Sequence, residues 1–92
     1  MLTKPHLRRL RNEIEMTMFI AEILRLEHRW CDNRFRFLCP LCDEFNTAVN
    51  PKTNLGRCFR CKRNFNPIDL VMLTKRLAFM DAVAFLEPYL PE

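Results

Sequence analysis

Cys39-Pro40-Leu41-Cys42 and Cys58-Phe59-Arg60-Cys61 decide how this chain folds. They are two C-x-x-C pairs with 15 residues between them, the spacing of a four-thiolate metal site. Two residues between thiols let the chain turn so that both sulfurs face one ion. The intervening loop then brings the second turn round to complete a tetrahedron with Zn–S distances of about 2.3 Å. A redox C-x-x-C would occur once, beside a βαβ pattern, which this chain lacks; iron takes the same four-sulfur set, and spacing alone does not separate it from Zn2+. One structural Zn2+ on Cys39, Cys42, Cys58 and Cys61 is the expectation. Such a site is closed, with no position left for a reactive water, so the metal would shape the chain and catalyse nothing. Cys31, His6 and His28 are left without a role, as a reduced thiol and ordinary packing or surface imidazoles.

Outward from the cysteines the pattern is that of a small sheet. Leu24, Leu26 and Trp30 alternate with Arg25, Glu27 and Arg29, and Phe35-Arg36-Phe37 resumes the alternation after the turn residues Asp32-Asn33. Segments Phe45 to Val49 and Leu55 to Phe59 flank a second turn, Asn50 to Asn54, and the latter segment delivers Cys58. Both flanks read as helical. Leu7, Leu10 and Ile14, then Phe19, Ile20, Ile23 and Leu24, recur at three and four residues, with Met16-Thr17-Met18 as a break between two short helices. Past the second cysteine pair, Asn66 can cap a helix that starts at Pro67 and carries Asp69 in its first turn; a further helix spans about Phe79 to Leu86 and ends near Pro88. The expectation is a small α+β fold: a zinc ribbon-like antiparallel sheet held by a four-cysteine zinc site and flanked by short N- and C-terminal helices. As one domain over 1–92, it would have a helical lead-in at about 5–23, the sheet at about 24–65 and C-terminal helices at about 67–87.

Composition supports a single folded module. The 92 residues are 49% hydrophobic and 28% charged, with one Gly, enough for one small core. Most catalytic architectures need about 100–200 residues, so a binding module without enzymatic activity is the expectation. Five cysteines are too few for a disulfide scaffold and no apolar signal segment follows Met1, which points to a reducing, cytoplasmic setting; no apolar run is long enough to cross a membrane. The net charge is +4, and its excess is central. Residues 31–66 hold Arg34, Arg36, Lys52, Arg57, Arg60, Lys62 and Arg63 against only Asp32, Asp43 and Glu44. Four thiolates and one Zn2+ bring the formal balance down to +2, so any attraction to a polyanion must be local.

The pattern as a whole resembles the N-terminal zinc-binding domain of bacterial and phage DNA primases, the CHC2-type zinc finger. The resemblance rests on Leu38-Cys39-Pro40-Leu41-Cys42, Thr47-Ala48-Val49-Asn50-Pro51 and Cys58-Phe59-Arg60-Cys61, followed by Asn66-Pro67-Ile68-Asp69-Leu70-Val71-Met72 and Ala78-Phe79-Met80-Asp81-Ala82-Val83, and it spans roughly residues 15–87. There are departures. Cys42 stands where the family usually has His, and either donor suits tetrahedral zinc. Arg60 and Asn66 replace family glycines, the loop after the second ligand is shorter and lacks a Lys-Thr-Pro-Ser-like stretch, and the polymerase part with its magnesium-binding carboxylates has no counterpart here.

The resemblance implies contact with nucleic acid, single-stranded DNA first, by a small separate protein of a bacterium or mobile element that acts in DNA replication. Arg34, Arg36, Lys52, Arg57, Arg60, Lys62 and Arg63 can neutralise phosphates, and Phe35, Phe59 or Phe65 can stack on bases if exposed. Strand alternation sets Arg34 and Arg36 opposite Phe35 and Phe37, which favours the arginines as the contact residues. The competing reading is an adaptor that docks a replication or recombination protein through an apolar helical face in residues 65–86. An electron carrier would need iron at the four thiolates, and the adjacent Asp43-Glu44 does not by itself make a converging acid pair.

Overall fold

Two of the helices begin where a neighbouring side chain satisfies one of the first free N–H groups. In the computed structural model, which describes residues 3–91, the Thr3 hydroxyl accepts from the His6 N–H at 3.2 Å, and Pro5 occupies the first turn of helix α1 (Lys4–Asn12). Met1, Leu2 and Glu92, the ends of the expected domain, lie outside the described residues. Helix α2 (Met16–Met18) continues without interruption as a π-helical segment, Phe19–Leu24. The expected break at Met16-Thr17-Met18 therefore lies earlier, at Glu13–Glu15. Its cause is tertiary: Asn54 Oδ1, from a distant turn, accepts from Met16 N–H at 3.0 Å and acts as the cap that α2 lacks locally.

The expected strand from Leu24 to Trp30 is corrected in its first half. Leu24 is the last residue of the π-helical segment and is buried, Arg25 closes the helix in the left-handed region at φ 54°, and Leu26 N–H bonds back to Ile20 O at 3.1 Å. Strand β1 begins only at His28. Leu24 also continues the helical spacing of Ile20 and Ile23, and burial of that face outweighs a short alternating run.

From there the chain is a meander: β1 (His28–Cys31), β2 (Arg34–Phe37), β3 (Thr47–Asn50), β4 (Leu55–Cys58) and β5 (Arg63–Phe65), antiparallel and in sequential order. Asp32 and Asn33, with φ of 52° and 64°, make the two-residue turn whose twist suits a hairpin, and they fix Cys31 opposite Arg34. Strand β3 starts two residues later than the expected Phe45, and the end of the stretch expected as sheet, up to residue 65, forms β5.

Alternation divides the sheet into two faces. Phe35, Phe37, Val49, Gly56, Cys58 and Phe65 point inward and meet Leu10, Ile14, Met16, Phe19, Ile20, Leu70, Val71 and Leu86 in one buried cluster. Each such fully buried large side chain contributes about 2 kcal/mol. Gly56, the chain's one glycine, is where the sheet admits the Phe37 ring: a Cβ there would lie 2.8 Å from its Cζ.

Helix α3 (Pro67–Lys75) starts from the anticipated cap. Asn66 Oδ1 accepts from Asp69 N–H at 2.8 Å, and Asp69 Oδ2 accepts from Asn66 N–H at 3.1 Å. Helix α4 (Phe79–Leu86) and a 3-10 turn, Glu87–Tyr89, complete the fold. No helix among the described residues is long and apolar enough to cross a membrane.

Candidate metal centre and basic sheet face

The β2–β3 and β4–β5 connections are built alike. In each, the residue after the second cysteine, Asp43 or Lys62, takes φ 58°, and its N–H bonds back to the carbonyl of the first: Asp43 N to Cys39 O at 3.0 Å, Lys62 N to Cys58 O at 2.8 Å. In each, a backbone N–H also points at the first sulfur: Leu41 N to Cys39 Sγ at 3.4 Å, Cys61 N to Cys58 Sγ at 3.3 Å. The register pair Thr47↔Cys58 and the short run from Phe37 to Cys39 then bring the two turns together.

The four sulfurs lie within 4.8 Å of one another, with Cys39 Sγ to Cys61 Sγ at 3.9 Å and Cys42 Sγ to Cys58 Sγ at 3.7 Å. A regular tetrahedron with Zn–S of about 2.3 Å has S···S edges of about 3.8 Å, so the donor set fits Zn2+ with little rearrangement. Cys39 and Cys58 are buried, Cys42 and Cys61 partly so.

Without metal the thiols differ. Burial raises Cys58, but the Cys61 N–H and the neighbouring thiols hold it down at about 6. The Thr47 hydroxyl, buried and without a partner in ordinary hydrogen-bond geometry, faces that same sulfur. Cys61 is pushed up to about 12 by burial and by its interactions with the other three thiols, and burial raises Cys42. Of the shifted thiols, Cys58 is thus the one whose thiolate is favoured, while those of Cys42 and Cys61 are disfavoured.

The basic residues separate into two groups. Arg36 lies opposite Ala48, and Ala48 opposite Arg57, so the two arginines share the sheet's outer face; Arg34 is on the same side of β2. Arg34, Lys52 and Arg57 line a shallow groove of ≈ 510 Å³ with Asn33, Asn50 and Phe59, and among the described residues no carboxylate borders it. Arg57 Nη1 donates to Asn64 Oδ1 at 3.3 Å, while Arg36 Nε is buried without a partner among the described residues.

The remaining three lie elsewhere. Arg60 is paired with Glu44 at 2.8 Å, Lys62 sits on the second knuckle, and Arg63 is opposite Cys58 on the inner side, 5.9 Å from the Phe65 ring centre. Of the three aromatic candidates, Phe35 and Phe65 are core residues and Phe59 is 54% exposed.

One outer-face residue escaped the sequence reading. Arg29 is the register partner of Arg36, and its guanidinium lies 4.2 Å from the Phe45 ring centre. The two-residue turn at Asp32-Asn33 carried the signal, because it sets residue 29 opposite residue 36.

A short antiparallel sheet whose connections supply paired C-x-x-C knuckles to one tetrahedral ion is a zinc ribbon. The model of the CHC2 zinc finger family, the DnaG-type zinc ribbon, matches residues 2–89, nearly the whole chain, and the chain belongs to that family. Its zinc-binding residue set here is four cysteines, with Cys42 at the second position. No curated protein matches the chain.

Proposed function

We propose that this chain is a nucleic-acid-binding module that takes single-stranded DNA across the outer face of its sheet and has no catalytic activity of its own. The observation that carries the reading is the pair Arg29 and Arg36. Like charges directly opposite on neighbouring strands are destabilising, by up to about 1 kcal/mol, yet among the described residues neither is in an ion pair, and Arg34 and Arg57 add to the same face, also outside any ion pair. A surface that concentrates cations at a cost to stability suits a polyanion.

Membership of the primase-type zinc ribbon family supports the same conclusion, as does Phe59, an exposed ring at the groove's edge on which a base can stack. A single strand fits better than a duplex, because a shallow groove with one aromatic platform presents nothing of the size of a recognition helix.

The test is fluorescence anisotropy of zinc-loaded protein with labelled single-stranded and duplex DNA. Four neutralised phosphates predict a loss of about fifty-fold in affinity for the single strand between about 50 and 200 mM salt. An Arg34→Ala, Arg36→Ala, Arg57→Ala variant is expected to lose at least tenfold and to flatten that dependence, while Arg63→Ala behaves as the parent. Folded, zinc-loaded protein that binds neither DNA form overturns the reading.

A further inference from the structure

On the helix side of the sheet, away from the basic groove, the chain's single tryptophan stands in the open. Trp30 is 65% exposed, although its register partner Phe35 belongs to the core and meets it edge-on at 5.4 Å. Strand β1, which carries it, is an edge of the sheet.

Register shows which backbone groups on that edge are free. Leu38 N–H donates to Glu27 O at 2.9 Å, so 27 and 38 form a hydrogen-bonded pair, and alternation makes 29 with 36 and 31 with 34 bonded pairs as well. The N–H and C=O groups of His28 and Trp30 therefore point away from β2, toward the unpaired edge.

The side chains of these two residues also form one wall of a groove of ≈ 290 Å³. Its opposite wall is the start of α2 and the π-helical segment, with Met18 between Glu15 and Glu22, and Phe35 is shared between the two sides. Among the described residues two carboxylates border this groove and no Lys or Arg does. The combination of an open indole, two nearby carboxylates and free strand hydrogen bonds fits one kind of occupant. A cationic side chain gains about 1 kcal/mol from the face of an exposed indole and further attraction from the carboxylates, whereas a phosphate is repelled.

We infer that the β1 edge is a protein-docking site for an extended basic segment of a partner. The segment adds as a sixth strand beside His28 and Trp30, with alternate Lys or Arg side chains over the indole and against Glu15 and Glu22. It is distinct from the proposed DNA face, because Trp30 and Arg29 point to opposite sides of β1. A partner can thus be held while the outer face is occupied.

Trp30 is its own reporter. Zinc-loaded protein is titrated with a capped Lys-Val-Lys-Val-Lys peptide, and separately with Glu-Val-Glu-Val-Glu, to millimolar concentration at about 50 mM salt, where surface charge is weakly screened. Tryptophan emission and the amide resonances of residues 28–31 are followed together. The lysine peptide is expected to shift both, the glutamate peptide neither, and an E15Q/E22Q variant to bind the lysine peptide at least tenfold more weakly.

The E15Q/E22Q variant keeps all its arginines, so its single-stranded DNA affinity should stay within twofold of the parent. This separates failure here from failure of the DNA reading. An unresponsive Trp30, equal binding of both peptides, or an unchanged response in E15Q/E22Q each overturns the proposal.

Discussion

The β3–β4 hairpin is fixed at both of its ends, and the two fixings differ in kind. At one end Thr47 and Cys58 lie at the four-sulfur site; at the other, Asn54 closes the turn in the left-handed region, at φ 55°, and reaches across to the α1–α2 connection. Its side chain accepts from Met16 N–H at 3.0 Å and donates to Arg11 O at 2.8 Å and Ile14 O at 2.7 Å. The metal end joins residues no more than 22 apart and depends on an ion and on pH; the asparagine end joins residues about 40 apart and depends on neither. Zn2+ is expected to hold the ribbon end together, while Asn54 ties the helices to the other end. A structural Zn2+ is worth about 10–16 kcal/mol and a hydrogen bond about 1 kcal/mol, so the two ends should fail on different scales.

The largest effect is expected at the metal. Cys58→Ser, or chelation of zinc from the parent, should abolish the cooperative thermal transition and the dispersed amide spectrum, since one buried thiolate and the tetrahedron are lost together. Survival of a folded, metal-loaded Cys58→Ser variant would refute the four-cysteine site.

Acid should imitate chelation in graded form. Zn2+ must displace the protons that Cys42 and Cys61, both raised, hold in the metal-free protein at neutral pH, so zinc affinity falls as pH falls. Below about 6 Cys58 takes up its proton as well and the fall steepens. The sign is therefore fixed: stability at constant free zinc is greater on the alkaline side of that point and is lost on the acid side, which a pH series of zinc-dependent melting temperatures reads directly.

Asn54→Ala should cost about 3 kcal/mol, an intermediate effect. The substitution leaves Met16 N–H without its acceptor and two carbonyls without their donor, and it places alanine at positive φ. Urea unfolding of the zinc-loaded variant measures it. Zinc affinity should stay within a few-fold of the parent, because nothing at the sulfur end has changed. A large loss of zinc affinity would show that the two ends are one cooperative clamp.

The difference between the ends also marks what can be read from sequence. The metal site is written in two local repeats, and each knuckle's turn, sulfur contacts and left-handed residue follow within five positions. The cap at Asn66-Pro67-Ile68-Asp69 and the turn at Asp32-Asn33 are equally local, and both read correctly.

What could not be read depends on distant partners. Asn54 was legible as a turn residue but not as the cap of α2, because the groups it bonds lie 38 to 43 residues away. Leu24 fitted a strand and a helix alike, and only the core decided between them. The basic cluster divided because whether Arg60 finds Glu44, or Arg29 comes to lie beside Arg36, is a matter of register and not of composition.

The smallest effect is expected midway along the hairpin, at Gly56. An alanine Cβ there would meet Phe37 Cζ at 2.8 Å and Cε1 at 2.9 Å, with Met16 Cε at 3.5 Å behind them. The ring tip cannot swing away freely, since Phe37 is fully buried and packed in the core cluster, so Gly56→Ala should cost about 2 kcal/mol through overpacking. Relief should come from the ring itself. Adding Phe37→Leu to Gly56→Ala removes the clashing atoms, and the double variant should be more stable than the sum of the two single losses predicts. Additive losses, read by urea unfolding of all three zinc-loaded variants, would mean that the backbone at Gly56 shifts instead of the ring. That shift would run along β4 toward Cys58 and carry the disturbance to the metal end.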